Sequence, residues 1–409
     1  MTTLDRWRAA GVGCAQWRTL TAAGLGWMLD GMDVMLYAFA LSTIRSEFGL
    51  SGAAAGALAS ITLLTSAVGG IASGVLADRL GRVRVLIVSI LVYSLATAGT
   101  ATAQSLAALV AWRAVVGLGL GGEWATGSVL VAETWPAAHR GKAIGLMQGG
   151  WALGYIAAAV LSGIILPRHG WRTLFVIGII PALLTIWVRR RVEEPEVWRR
   201  AVRTKAIDLG ALLRRPLATR AVLATAVATA VLFAYWGLFT WLPTYLATPL
   251  AAGGAGLDLV RSVSFIIPMQ LGAFAGYISF GFLADRFGRK PVFIAFVLTA
   301  AAIVPLYGHL GSHPGWLFVL GPIVGFAGHG YFSVFGAMLA ELFPSSVRAT
   351  AQGLCYNLGR AVSALAPATI GALADRSGIG SALGVTSAFF IAGAVLILLL
   401  PETRGGELQ

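Results

Sequence analysis

Charged side chains in this chain are confined to narrow gaps between long apolar stretches, and that spacing limits the fold more than any other feature. Apolar segments run at roughly 20–43, 52–76, 85–103, 105–131, 142–166 and 171–189. A polar stretch follows at about 190–218, and a second set lies near 219–246, 260–283, 291–308, 315–340, 349–374 and 379–400. Each is close to the ~20 residues a helix needs to cross a bilayer. Only 11% of the 409 residues are charged, against about 25% in soluble domains. The expected architecture is an all-α membrane protein of twelve transmembrane helices in two pseudo-symmetric six-helix bundles. Residues 1–189 form the first, 190–218 a cytoplasmic linker, and 219–409 the second with a short C-tail. No cleavable signal peptide is expected, because the first apolar run contains aspartates. The isolated Cys14 and Cys355 offer neither a disulfide framework nor a metal-ligand cluster.

The net charge of +13 raises the question of nucleic acid, and its distribution answers it. With the N-terminus inside, the N-tail, even-to-odd loops, linker and C-tail hold 23 of the 30 Lys and Arg, ten of them from Arg189 to Arg220. The outside loops hold Arg45, Arg168, Arg172, Arg261 and Arg376, while Arg113 and Arg360 lie within spans. This is the positive-inside bias, with both termini cytoplasmic. The charge therefore signals topology, and contact with anionic lipid is a lesser role. Nucleic acid is not an expected partner.

The two halves also repeat. Gly74-Val-Leu-Ala-Asp78-Arg79-Leu-Gly81-Arg82 returns 207 positions later as Gly281-Phe-Leu-Ala-Asp285-Arg286-Phe-Gly288-Arg289. Glu133-Thr-Trp-Pro136-Ala-Ala-His-Arg140 returns 208 positions later as Glu341-Leu-Phe-Pro344-Ser-Ser-Val-Arg348. Tandem halves related by an axis along the membrane normal describe a transporter working by alternating access.

These segments resemble the signature loops of the major facilitator superfamily, over nearly the whole chain. Arg113-Ala-Val-Val-Gly117-Leu-Gly119-Leu-Gly121-Gly122-Glu123 resembles its fourth-span RxxxGxGxGGE pattern. Pro401-Glu402-Thr403-Arg404-Gly405 resembles the ending after span twelve in sugar-porter and organic-ion branches, and Glu194-Pro195-Glu196 sits at the equivalent place after span six. Asp30-Gly31-Met32-Asp33 resembles a motif of the aromatic-acid/proton symporters, and the 122–136 run also resembles sialate and monocarboxylate symporters. The fifth span lacks the Gly-Pro-rich signature of drug/proton antiporters, which favours uptake over efflux. The resemblance implies that Asp78, Arg79, Arg82, Asp285, Arg286 and Arg289 form latches that hold the cytoplasmic gate shut. Glu133 with Arg140 and Glu341 with Arg348 would extend that network.

Buried charge marks the candidate site. Asp30 and Asp33 are three apart, so they share one helix face. Ionisable groups at membrane depth are costly and usually line an ion or substrate path. Counting 1.5 Å per residue from the outer ends puts Asp33 level with Arg113, while Glu123 lies nearer Asp30. Asp30, Asp33 and Glu123 are the candidate proton carriers, with Arg113 competing for the proton; a static ion pair orienting spans one and four is the alternative. Arg360, preceded by Asn357, has no acid in its own half to pair with and suits a carboxylate substrate. It could instead pair with Asp30 or Asp33, or snorkel. Gln148, Trp151, Tyr155, Tyr235, Trp236, Gln270 and His329 are candidate pocket walls for a small organic acid. The close-set glycines of span four read as helix packing rather than a phosphate cradle.

The expected function is proton-coupled uptake of a small organic anion, such as an aromatic or monocarboxylic acid, across the cell inner membrane. No cofactor is needed beyond the proton gradient, no enzyme chemistry is expected, and a monomer suffices. A sugar or organic-cation carrier of the same fold is the first alternative, and a non-transporting receptor or sensor the second.

Overall fold

The computed structural model describes residues 12–195, 214–343 and 348–403. The linker residues 196–213, including Trp198, Arg199 and Arg200, lie outside the described residues, as does Arg404. The first half comprises α1 (Cys14–Phe48), α2 (Gly52–Leu80), α3 (Arg82–Thr100), α4 (Leu106–Thr134), α5 (Ala137–Ile177) and α6 (Pro181–Arg191). In the second, α7 (Leu217–Ala247), α8 (Leu259–Phe287) and α9 (Arg289–His309) are followed by α10 (Pro314–Gly330) and α11 (Phe332–Leu342). The chain continues with α12 (Arg348–Ser363), α13 (Ala366–Ser377), α14 (Ile379–Gly384) and α15 (Thr386–Leu398).

Among the described residues, nine helical stretches are long and apolar enough to span a membrane. The other three expected spans are helical as well. The first, α1, carries Asp30 and Asp33 in the middle of its 35 residues. The sixth is continuous with the fifth, because α5 turns at Gly170 (φ 71°, ψ 176°) without losing its helical character on either side. The eleventh is divided into α12 and α13 just past Arg360. Spans ten and twelve are likewise each built of two pieces, broken at Tyr331 and Val385.

Side chains exposed on the outside are those a bilayer would cover. Leu64, Val68, Ile71 and Val75 form an exposed stripe along α2 at spacings of four, three and four. Inside the first half, α1 packs on α5 and α2 on α4; α8 packs on α10 and α7 on α12 in the second. The halves meet where α5 lies on α8 and where α2 lies on α12 and α13. The span-four glycines do pack helices. Gly117 and Gly121 sit against the α2 carbonyls of Thr62 and Ser66, and Gly119 and Gly122 sit against α3 at Tyr93 and Ser89. A side chain at any of these would push the neighbouring helix away.

Alternate crossing gathers the loops after α2, α4 and α8 at one end, the basic end. There Glu194 accepts from the backbone N–H groups of Arg82 (2.7 Å), Val83 (3.0 Å) and Arg84 (3.3 Å), capping α3. Glu402 does the same for α9 through Arg289 (2.9 Å) and Lys290 (3.0 Å). Free N–H groups and the helix dipole both favour a carboxylate at that position. The two glutamates noticed in equivalent places after spans six and twelve thus make equivalent bonds.

Candidate functional site

Between the halves lies a small cavity lined by residues of both. Its polar lining comprises Asp30 and Tyr37 from α1, Arg113 from α4, and Arg360 from α12. Trp27, Trp151 and Trp236 supply aromatic walls, and Thr62, Ser66 and Thr240 supply hydroxyls. Trp151 packs on Trp27 with ring centroids 4.8 Å apart and meets Trp236 edge-on at 6.0 Å. The cavity is thus mostly apolar, with a few charges fixed on its walls.

The alternative arrangement, a static Asp33–Arg113 ion pair, is not formed. Asp33 accepts instead from the Thr97 hydroxyl of α3 at 2.7 Å. Arg113 lies over the Tyr37 ring, 4.5 Å from its centroid, and its Nε and Nη1 have no hydrogen-bond acceptor. Tyr37 is four residues beyond Asp33 on the same face, so it intercepts the guanidinium before the carboxylate is reached. Its own hydroxyl donates to the Ala55 carbonyl of α2 at 2.9 Å, which fixes the ring. The static ion pair between helices one and four is therefore excluded in this conformation.

Asp30 is 3% exposed, and the charges acting on it are Glu123, Arg360 and Asp33. Its cationic neighbour comes from the other half of the molecule. Arg360 rests over the Tyr356 ring at 5.2 Å, with its Nε unpartnered. Tyr356 in turn stacks on Trp124 of α4, centroids 4.3 Å apart and 21° from parallel. The Trp124 indole donates to Gln148 at 3.3 Å. Glu123 sits off the cavity, against Gly26 of α1 and beside the Tyr93 hydroxyl. Asn357 donates to Gly353 at 3.0 Å within its own helix and turns its oxygen towards Gly70.

Three of the candidate wall residues form a hydrogen-bonded chain running away from the cavity. The Trp151 indole donates to the Tyr235 hydroxyl at 2.6 Å, and that hydroxyl faces His329 Nε2 at 3.4 Å. His329 Nδ1 lies 3.1 Å from the Gly325 carbonyl, which can only accept. The Nδ1 atom therefore carries the hydrogen and Nε2 accepts from Tyr235. Only Trp151 of the three reaches the cavity; His329 stands behind the wall, next to the break between α10 and α11. Tyr155 also leaves the wall, donating across the halves to the Phe239 carbonyl at 3.2 Å. Gln270 is fully buried on α8, and neither its amide N–H nor its oxygen has a partner.

At the basic end, Arg82 pairs with Glu133 at 3.1 Å and Arg289 with Glu341 at 3.4 Å. These bonds join neighbouring helices within each half rather than bridging the halves. Arg79 and Arg286 are exposed there, the latter over the Phe287 ring. The side chains of Asp78, Arg140, Asp285 and Arg348 lie outside the described residues.

Sequence reasoning missed Thr97, Tyr37, Tyr356 and Trp124, whose roles come from which helices touch. It also counted Arg45 only as an outside-loop charge. At the far end, opposite the basic loops, Arg45 pairs with Asp375 of the other half at 2.6 Å. Beside it Arg172 pairs with Glu47 at 2.7 Å, and Trp171 donates to the same carboxylate at 2.6 Å.

The chain matches the sequence profile described as Major Facilitator Superfamily over residues 23–279 and 250–408. It is 34% identical over 405 residues to the cis,cis-muconate transport protein of Acinetobacter baylyi (strain ATCC 33305 / BD413 / ADP1), covering 96% of each chain. It is 30% identical over 431 residues to the niacin transporter NiaP of the same organism, covering 97% of each. Its fold matches the crystal structure of a D-xylose-proton symporter with a TM-score of 0.75 at 20% identity, over 97% of this chain and 100% of that one.

Proposed function

Because the chain belongs to the Major Facilitator Superfamily, we propose that it imports a small organic acid together with protons by alternating access. The single observation that carries this reading is Arg360, held on a tyrosine ring at the wall of an aromatic cavity, its Nε unpartnered and no carboxylate bonded to it among the described residues. A guanidinium in that setting binds a planar carboxylate through paired N–H donors, while the indole rings cover an unsaturated or aromatic body. The named cargoes of the two relatives, muconate and niacin, both carry carboxylates.

Asp30 supplies the coupling. When ionised it competes with the cargo for Arg360, the cation that acts on it. When protonated it leaves Arg360 free for the cargo, so proton and anion bind cooperatively and each raises the other's affinity by the same factor. Asp33, bonded to Thr97, and Glu123, beside Tyr93, are further proton sites on the same side of the cavity. Arg113 on its tyrosine keeps that side from accumulating negative charge. Gln148 steers Trp124 and hence Arg360. The protein works as a monomer in the cell inner membrane with both termini cytoplasmic. It uses no cofactor other than the proton gradient, and it carries out no covalent chemistry.

A thermal-shift panel of carboxylates, sugars and amines on the purified protein tests the cargo class, since ligands that bind the folded state raise its apparent stability. Carboxylates, muconate and nicotinate among them, are expected to stabilise the wild type and not Arg360→Gln. A response confined to sugars or amines, or an undiminished carboxylate response in Arg360→Gln, contradicts the reading.

A further inference from the structure

The far end of the molecule is closed by a segment that repeats the signature loop a third time. Gly371-Ala-Leu-Ala-Asp375-Arg376-Ser-Gly378 matches the segments 74–81 and 281–288 at six of eight positions. The backbone repeats with it. Gly81 (φ 109°, ψ 149°), Gly288 (φ 103°, ψ 155°) and Gly378 (φ 81°, ψ 152°) share one conformation. Each donates its N–H to the alanine carbonyl four residues back and stands as the N-cap residue of the next helix. A φ in this range disfavours side chains, which is why glycine closes all three copies. The first two copies end α2 and α8 at the basic end. The helix before the third crosses in the opposite direction, so the same loop appears at the far end.

Its aspartate bonds the other half of the molecule. One Asp375 oxygen accepts from Arg45 Nη2 at 2.6 Å, and the other accepts from the N–H groups of Gly52 (2.7 Å) and Ala53 (3.4 Å). These are the first two N–H groups of α2, which have no partner within their own helix. The α2 N-cap, Ser51, covers only Ala54, at 3.1 Å. The cap of a first-half helix is therefore completed by the second half. Arg45 is steadied for the pair by its Nε bond to the Leu50 carbonyl at 3.1 Å. Underneath, Gly52 meets Gly371 and Gly56 meets Pro367, backbone to backbone, so the carboxylate sits on a seam without intervening side chains. On the second-half side, the Trp241 indole holds the Pro367 carbonyl at 2.9 Å.

We propose that the 371–378 loop is a latch for the face opposite the two signature loops, and that Asp375 is the group that closes it. A carboxylate bonded to a guanidinium and two N–H groups across the halves is a charge-assisted contact that exists only while this face is shut. Opening the face breaks all three bonds together and leaves the α2 terminus to water. The assignment does not depend on which cargo is carried.

The test is a pair of electron-spin distance measurements on the full chain in lipid nanodiscs, in a Cys14→Ser, Cys355→Ser background. Labels at Gln104→Cys and Ser312→Cys report on the far end, and labels at Arg84→Cys and Thr219→Cys on the basic end; all four positions are exposed. Asp375→Asn is expected to raise the population with far-end labels apart about tenfold, the size expected for losing charge-assisted hydrogen bonds. The basic-end labels are expected to draw together in the same sample. Arg45→Gln, which keeps the α2 cap, is expected to shift the same populations less, and the double variant no further than Asp375→Asn alone. Unchanged far-end distances in both single variants overturn the proposal, and so does a widening at both ends together, which marks general loosening.

Discussion

Arg360 has a tyrosine ring where a buried arginine usually has a carboxylate, and the cargo reading turns on that substitution. Cation–π contact contributes roughly 0.5–2 kcal/mol, enough to orient the guanidinium without consuming its N–H donors. Arg360→Lys keeps the charge but loses the planar fork, so carboxylate affinity is expected to fall about tenfold or more, read by titration of the purified protein. The Trp151–Tyr235–His329 chain makes a second prediction. Tyr235→Phe and His329→Leu are each expected to lower stability by about 1 kcal/mol, and the double variant by little more, because both break one chain. Additive losses in thermal unfolding contradict the chain. Glu47 gives a pH test. Hydrogen bonds from Arg172 and then Trp171 hold its carboxyl below the usual range. A depressed folded-state value means stability that is present above the unfolded value of about 4.3 and lost as pH falls through the folded value. The wild type is therefore expected to lead Glu47→Gln in unfolding temperature at neutral pH, and the lead to vanish in acid. Arg360 was legible as a lone intramembrane cation with no acid in its half. Tyr356 beneath it was not, because an aromatic residue in an apolar helix looks alike whether it faces lipid, core or arginine.

At the scale of elements, the spans were readable because each must bury its own backbone bonds in one continuous apolar helix. What the pattern did not show is where a span is broken. The interruptions at Tyr331, after Ser363 and at Val385 lie inside apolar sequence and involve no charged residue. The depth match between Asp33 and Arg113 came from a sound count along two helices. Equal depth does not make an ion pair, because counting does not see rotation about each helix: Asp33 bonds Thr97 and Arg113 lies over Tyr37. The paired glutamates after spans six and twelve were visible as a repeat, and their capping bonds to α3 and α9 give the repeat its meaning. Glu194→Gln and Glu402→Gln are each expected to cost about 1–2 kcal/mol, seen as earlier thermal unfolding of either variant. Equal unfolding temperatures would show that those N–H groups are as well satisfied by water. At Gly121, where α4 meets the Ser66 carbonyl, even Ala is expected to force α2 and α4 apart, at a cost of about 1–3 kcal/mol.

For the whole molecule, the internal repeat made the twelve-span architecture legible before any contact was known, since two matched loops in register imply two matched halves. The cavity follows from that symmetry, with Asp30 and Arg113 contributed by one half and Arg360 by the other. In the described conformation the two halves touch through charge at the far end, whereas the described ion pairs at the basic end stay within each half. Uptake into proteoliposomes measures whether cargo anion and proton share Arg360 and Asp30, as proposed. Labelled carboxylates are expected to accumulate under an inward proton gradient in the wild type. Asp30→Asn is expected to abolish gradient-driven accumulation while still exchanging label for unlabelled acid across the membrane. Full gradient-driven accumulation by Asp30→Asn, or no carboxylate uptake by the wild type under any gradient, would contradict the account.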